Sequence, residues 1–177
     1  MPNSFAPIFS AEARVLILGS MPGVASLTAG EYYAHPRNAF WQIMNALCGA
    51  AREVAYVERL EKLQASGIAL WDVLESCQRE GSLDSAIVPS SIVVNQIPAL
   101  LEQLPHIRLI VTNGGTASQL FKRHVIGRWQ ASTSLQWQPL PSTSPAHASL
   151  KLAEKIIIWQ TALAPFVLPA PPPRVPR

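Results

Sequence analysis

Arg14-Val15-Leu16-Ile17-Leu18-Gly19-Ser20-Met21-Pro22-Gly23 is the stretch on which the fold turns. Arg14 to Leu18 is a short apolar run closed by a glycine, the pattern of a strand buried on both faces in a parallel sheet. Ser20 to Arg37 is broken by Gly and Pro on both sides of Tyr32, so it is expected as a long, shaped loop at the C-terminal end of that strand. In open α/β sheets that end is where ligands sit.

Working outward, helix and strand patterns alternate. Phe40, Trp41, Met44 and Leu47 fall at helical spacing in a helix expected to begin at Asn38 and stop at Gly49. Val57, Leu60 and Leu63 form the inward stripe of a second helix over 54–64, and Ile68 to Leu74 follows as a second strand. Ser76 to Ser91 is polar and broken. Asn95 is placed to cap a short helix ended by Pro105. Ile107 to Thr112 reads as the third strand, 117–124 as a helix after Asn113-Gly114-Gly115-Thr116, and Leu135 to Leu140 as the fourth strand. Pro141 to His147 is a second loop of small residues, and 148–163 a final amphipathic helix. The fold class is therefore α/β, a three-layer sandwich with a central, mostly parallel four-stranded sheet flanked by helices. Residues 1–164 are expected as one domain. Residues 165–177 hold six prolines and are expected as an extended, mobile tail.

Composition agrees with a single globular core: 177 residues, 49% hydrophobic and 14% charged. No apolar run reaches the ~18 residues of a membrane span, and the N-terminus lacks the pattern of a signal peptide, so a soluble, cytoplasmic protein is expected. Cys48 and Cys77 are too few for a thiolate cluster and read as buried thiols; no metal and no cofactor are expected. The net charge is +3, but without Arg174 and Arg177 of the tail 12 basic residues face 11 acidic ones. Bulk charge thus says little about a polyanionic partner, and any such contact must be a local patch or a set of backbone amides.

Two loops draw the eye, each following a strand and preceding a helix. One is Gly19-Ser20-Met21-Pro22-Gly23 with its sequel Tyr32-Tyr33-Ala34-His35-Pro36-Arg37-Asn38-Ala39-Phe40-Trp41; the other is Pro141-Ser142-Thr143-Ser144-Pro145-Ala146-His147. Parallel-sheet geometry brings both to one edge, where they either converge on one polar or polyanionic ligand or serve as two ordinary connections.

These motifs, in this order over roughly residues 14–163, resemble the uracil-DNA glycosylase superfamily, and most of all its hypoxanthine-DNA glycosylase branch. The resemblance implies a monofunctional glycosylase that flips a deaminated base out of DNA and hydrolyses its bond to the sugar, with hypoxanthine first and uracil second. A uracil or mismatch-specific glycosylase and a catalytically weak lesion-binding protein stand as alternatives. Its partner is damaged DNA, and it is expected to act as a monomer away from membranes. Many branches carry an Asp or Asn at the position of Met21, or a Glu at that of Ser20. Neither position holds a carboxylate or carboxamide here, and the hypoxanthine branch points instead to Asn38 as the catalytic residue. Asn38 is also a preferred helix cap, and both roles are compatible.

The same resemblance implies a base pocket of Gly19, Ser20, Met21, Pro22, Gly23, Tyr33, His35, Trp71 and Asp72. Tyr33 either stacks on the base or sits in the core. His35 either meets the base or ties the loop backbone. At the end of the second strand, Asp72 accepts from a base N–H and Trp71 shapes the pocket, or else Asp72 is ion-paired and Trp71 is core. Ser142 and Ser144 suit phosphate contacts, Pro145 and Ala146 form a stiff apolar tip for insertion, and His147 touches a phosphate or caps the last helix. No lysine lies in either motif, so a Schiff-base route is not expected.

Overall fold

The computed structural model describes residues 1–129 and 134–169. Its strands are β1 (Val15–Gly19), β2 (Ile68–Asp72), β3 (Leu74–Ser76), β4 (Val93–Val94), β5 (Leu109–Asn113) and β6 (Gln136–Leu140). Four of them form the central sheet in the order β2-β1-β5-β6, and all three pairings are parallel. Val15 lies beside Ile68 on one side and Leu109 on the other, and Leu109 lies beside Gln136. β3 and β4 make a separate antiparallel pair.

Alternation along the strands divides the interior in two, because successive side chains of a strand point to opposite faces. Val15, Ile17, Ile68, Leu70, Leu109 and Val111 enter one core; Leu16, Leu18, Ala69 and Ile110 enter the other. The helices are α1 (Val24–Ala29), α2 (Phe40–Cys48), α3 (Tyr56–Ala65), α4 (Ile97–Gln103), α5 (Gly115–His124) and α6 (Leu152–Leu163). Residues of α2, α3 and α6, including the fully buried Phe40, Trp41 and Trp159, fill the first core. Residues of α4 and α5 fill the second, giving the expected three layers. Each large apolar side chain so buried contributes about 1.5–3 kcal/mol to the fold.

Several boundaries differ from the sequence expectation. The loop after β1 contains the short helix α1, ended by Gly30 in the left-handed conformation at φ +68°. α2 begins at Phe40 rather than Asn38, and α6 at Leu152 rather than 148, so the second loop is longer than its motif. Asn95 does not cap α4; its amide donates to the carbonyls of Asp72 and Leu74 and so ties down the end of β2. Past Leu163 the chain stays on the body. Phe166 and Val167 pack against the first core, and the Leu168 amide donates to the Ser66 carbonyl. The mobile tail expected from 165 therefore does not start there, and 170–177 lie outside the described residues. Cys77 is buried and Cys48 half-buried, both as free thiols. No helix among the described residues is long and apolar enough to cross a membrane.

Candidate active site

The connection from β1 runs to β2 on one side, and that from β5 runs to β6 on the other, so the chain parts at the C-terminal ends of β1 and β5. Such a switch point opens a crevice in a parallel sheet. Here the crevice is a cleft of about 560 Å³, walled by the ends of β1, β2 and β5, the two motif loops, and an arm around Ser82–Asp84. The volume lies within the ordinary range for a small-molecule ligand.

Its floor depends on close approach. A Cβ on Gly19 would collide with Asp72 Oδ1 and lie 3.3 Å from the Tyr33 hydroxyl, so only glycine lets these groups meet at the end of β1. Asp72 is 4% exposed, and its Oδ2 has no hydrogen-bond partner. Burial, reinforced by the charge of Asp84 and opposed by that of Arg79, pushes its carboxyl up to about 7. Tyr33 stands over this floor. Its ring stacks on the buried Phe40 with centroids 3.9 Å apart and planes at 19°, and burial followed by the Asp72 charge raises its phenol. Its backbone has φ +54°, the one positive value among the described residues other than glycine. Such a conformation persists only where neighbours hold it. Arg52 does so from outside the cleft, donating to the carbonyls of Tyr33 at 3.3 Å, Ala34 at 3.2 Å and His35 at 2.9 Å.

Asn38 lines the same cleft. Its Oδ1 accepts the Phe40 amide at 3.0 Å, so the side chain caps the start of α2 while it faces the cavity. His35 also lines the cleft, and its Nδ1 accepts the Arg37 amide at 3.1 Å, which ties the loop to itself.

The second loop is anchored at its middle. Thr143 is buried; its amide donates to Asn113 Oδ1 at 2.9 Å, its hydroxyl accepts from Asn113 Nδ2 at 3.0 Å, and its carbonyl accepts the Ala39 amide at 2.9 Å. One residue thereby joins β5, the second loop and the head of α2. Behind the loop the buried Lys155 donates to the His147 carbonyl at 2.7 Å. Ser142 and Ser144 each accept an amide two residues on, which leaves Pro145 and Ala146 at a tightly turned tip. Gly114 is at φ +94°, and a Cβ there would lie 2.9 Å from the Ser142 Cβ.

Of the expected site residues, Gly19, Ser20, Met21, Pro22, Gly23, Tyr33, His35, Asn38, Asp72 and 142–147 line this one cleft. Two do not. Trp71 points to the opposite face of β2 from Asp72, as strand alternation requires, packs in the second core and donates to the Phe5 carbonyl at 3.0 Å. Pro141 lies just outside, its carbonyl accepting Trp159 Nε1 at 2.9 Å. The sequence reading missed the arm. Ser82, Leu83 and Asp84 line the cleft from a stretch that carries no periodic signal. Ser82 Oγ accepts the Val24 amide at 2.8 Å, and Asp84 Oδ1 accepts the Ser20 hydroxyl at 2.8 Å.

Taken together these features define a parallel α/β domain whose switch-point cleft is built from backbone-rich loops over a buried carboxyl. The chain belongs to the uracil DNA glycosylase superfamily, whose family model matches residues 6–163. It is similar to the hypoxanthine DNA glycosylase of Methanosarcina barkeri, 37% identical over 63% of this chain and 70% of that protein. It is also similar to the hypoxanthine DNA glycosylase of Methanosarcina acetivorans, 36% identical over 66% of this chain and 73% of that one. A solution NMR structure of a protein from M. acetivorans superposes with a TM-score of 0.72 at 29% identity, covering 90% of this chain and 96% of the other.

Proposed function

We propose that the chain is a monofunctional DNA glycosylase that draws a deaminated base out of DNA into this cleft, hydrolyses the N-glycosidic bond and leaves an abasic site. Hypoxanthine is its first substrate and uracil its second. The observation that carries this reading is the convergence of both motif loops on one cleft of about 560 Å³ whose floor holds an unpartnered carboxyl oxygen. Bases inside a duplex are beyond reach of such a pocket, so the nucleotide must be extruded before any chemistry.

Asp72 reads the base. Hypoxanthine presents an N–H beside a carbonyl, and a protonated carboxyl offers one acceptor and one donor to that pair, whereas the ionised form can only accept. Uracil carries the same N–H and carbonyl side by side, which places it second. Tyr33, braced by Phe40 behind it, offers its ring for stacking on the extruded base. Asn38 is the catalytic residue: beyond the bond to Phe40, its oxygen keeps a second lone pair and its amide two donors for water and sugar. The backbone amides of Ser20, Met21 and Gly23 stabilise the charge gathering on the departing base. Ser142 and Ser144 meet phosphates, and the Pro145-Ala146 tip enters the gap left in the stack. Among the described residues no lysine lines the cleft, and Lys155 is committed to loop carbonyls behind it, so the reaction ends at the abasic site. The protein acts on chromosomal DNA as a monomer and without a cofactor.

The test is single-turnover incision of duplexes carrying deoxyinosine, deoxyuridine or a G:T mismatch, with alkali added to reveal abasic sites. Cleavage of the inosine duplex is expected. Binding without cleavage of any substrate would replace this reading with that of a lesion-binding protein.

A further inference from the structure

Gly19–Gly23 carries no ionisable or carboxamide side chain, yet a carboxylate stands against it. Asp84, 64 residues further along the chain, lines the cleft and accepts the Ser20 hydroxyl proton at 2.8 Å. The arm that delivers it is fastened to the loop at several points. Arg79, its guanidinium buried, donates to the Pro22 carbonyl and, at 3.5 Å, to that of Met21, while its Nη1 lies 3.7 Å from Asp84 Oδ1. Ser82 accepts the first amide of α1. This amounts to a built position rather than a chance approach, because a buried guanidinium and two hydroxyls fix one carboxylate against one loop.

Resting on the glycosylase reading above, we propose that Asp84 and Ser20 form a dyad that holds and deprotonates the attacking water. Ser20 has one proton, and it is given to Asp84, so its oxygen faces the cleft as an acceptor. A water bound there donates one hydrogen to Ser20 Oγ. As its oxygen bonds to the sugar C1′, the bond from C1′ to the base nitrogen breaks and the electron pair leaves on the base, which solvent then protonates. The proton of the water passes to Ser20 as that of Ser20 passes to Asp84, and Asp84 returns it to solvent once the base has gone. Its negative charge also favours the cationic sugar through which the bond loosens. Asn38, on the other motif segment, orients the sugar and water in this scheme and Asp84 takes the proton.

The experiment is a set of single-turnover rates on the inosine duplex for wild type, Asp84→Asn, Asp84→Glu, Ser20→Ala and the Ser20→Ala/Asp84→Asn double variant. Each rate is accompanied by a binding titration and a thermal melt. Asn fits the space of Asp and can still accept the Ser20 hydrogen bond, so it removes the charge and the base while leaving the prop. Asp84→Asn and Ser20→Ala are each expected to slow cleavage by about a hundredfold with binding retained, Asp84→Glu to recover part of that, and the double variant to be no slower than the slower single one. An Asp84→Asn rate within about threefold of wild type overturns the dyad, as do losses that multiply in the double variant, since independent residues add in free energy. A wild type that cleaves no substrate sinks the glycosylase reading and the dyad together. A wild type that cleaves with Asp84→Asn as fast as itself sinks the dyad alone.

Discussion

Replacing Asp72 by asparagine isolates the electrostatics of the cleft floor. The folded carboxyl titrates at about 7 against 3.8 for a free aspartate. Each unit is worth about 1.4 kcal/mol, so the ionised group costs the fold up to about 4 kcal/mol. Any relaxation of the floor lowers that ceiling. Because the folded pKa is the higher one, the native state holds the proton more tightly than the unfolded chain. This contribution to stability is present in full below 3.8, and it is lost as the pH rises to and through about 7. Urea unfolding of wild type and Asp72→Asn at several pH values from about 5 to about 9 gives the comparison. Wild-type stability minus variant stability should fall by about 1.4 kcal/mol per pH unit up to pH 7 and then level off. Affinity for the inosine duplex should take the complementary course in wild type, holding level below pH 7 and weakening above it as the carboxyl loses its donor, and stay flat in the variant. A stability difference that does not change with pH would mean that Asp72 titrates in the fold as it does in the unfolded chain. The burial of its unpartnered oxygen would then carry no electrostatic cost, and the argument for a protonated reader of the base would fail.

Asn38→Ala should lower single-turnover cleavage by about a hundredfold while DNA binding survives, with a melting penalty of about 1 kcal/mol from the lost cap on Phe40; a melting penalty without a rate loss would leave Asn38 a cap only. Tyr33→Ala should reduce discrimination between inosine and undamaged duplexes, and Tyr33→Phe, which keeps the ring on Phe40, should restore it. If both variants lose only thermal stability, the ring belongs to the core. Gly114→Ala places a methyl against Ser142 on a backbone at φ +94°, so it should cost about 1–3 kcal/mol in urea unfolding and weaken DNA binding by displacing the second loop. Unfolding and binding both at the wild-type level would show that the loop does not depend on that close approach.

The fold was largely legible because its signals are local. Val15–Leu18 is apolar without a break, Phe40, Trp41 and Met44 recur at helical spacing, and glycine closes β1, α1 and α2. The errors came at edges, where local and tertiary preferences compete. Asn38 has the right chemistry to cap, and does, but from two residues before the helix. Asn95 has the same chemistry, yet the end of β2 claims its amide instead. Phe166 and Val167 stand among prolines that argue for a free tail, and the apolar surface they cover decides otherwise.

By itself, then, the sequence determined the alternation of strands and helices, the two loops at one sheet edge, and the family to which they belong, because each rests on residues close together in the chain. Strand alternation even separates Trp71 from Asp72, once the ends of β2 are known. Only the tertiary structure decided what meets across the cleft. The approach of Asp72 to Tyr33 over Gly19, the tie of Thr143 to Asn113, and the arrival of Asp84 at Ser20 from 64 residues away join segments whose separation leaves no periodic trace. The energies that fix those meetings, burial of a carboxyl and hydrogen bonds sheltered from water, exist only after the chain has closed around them.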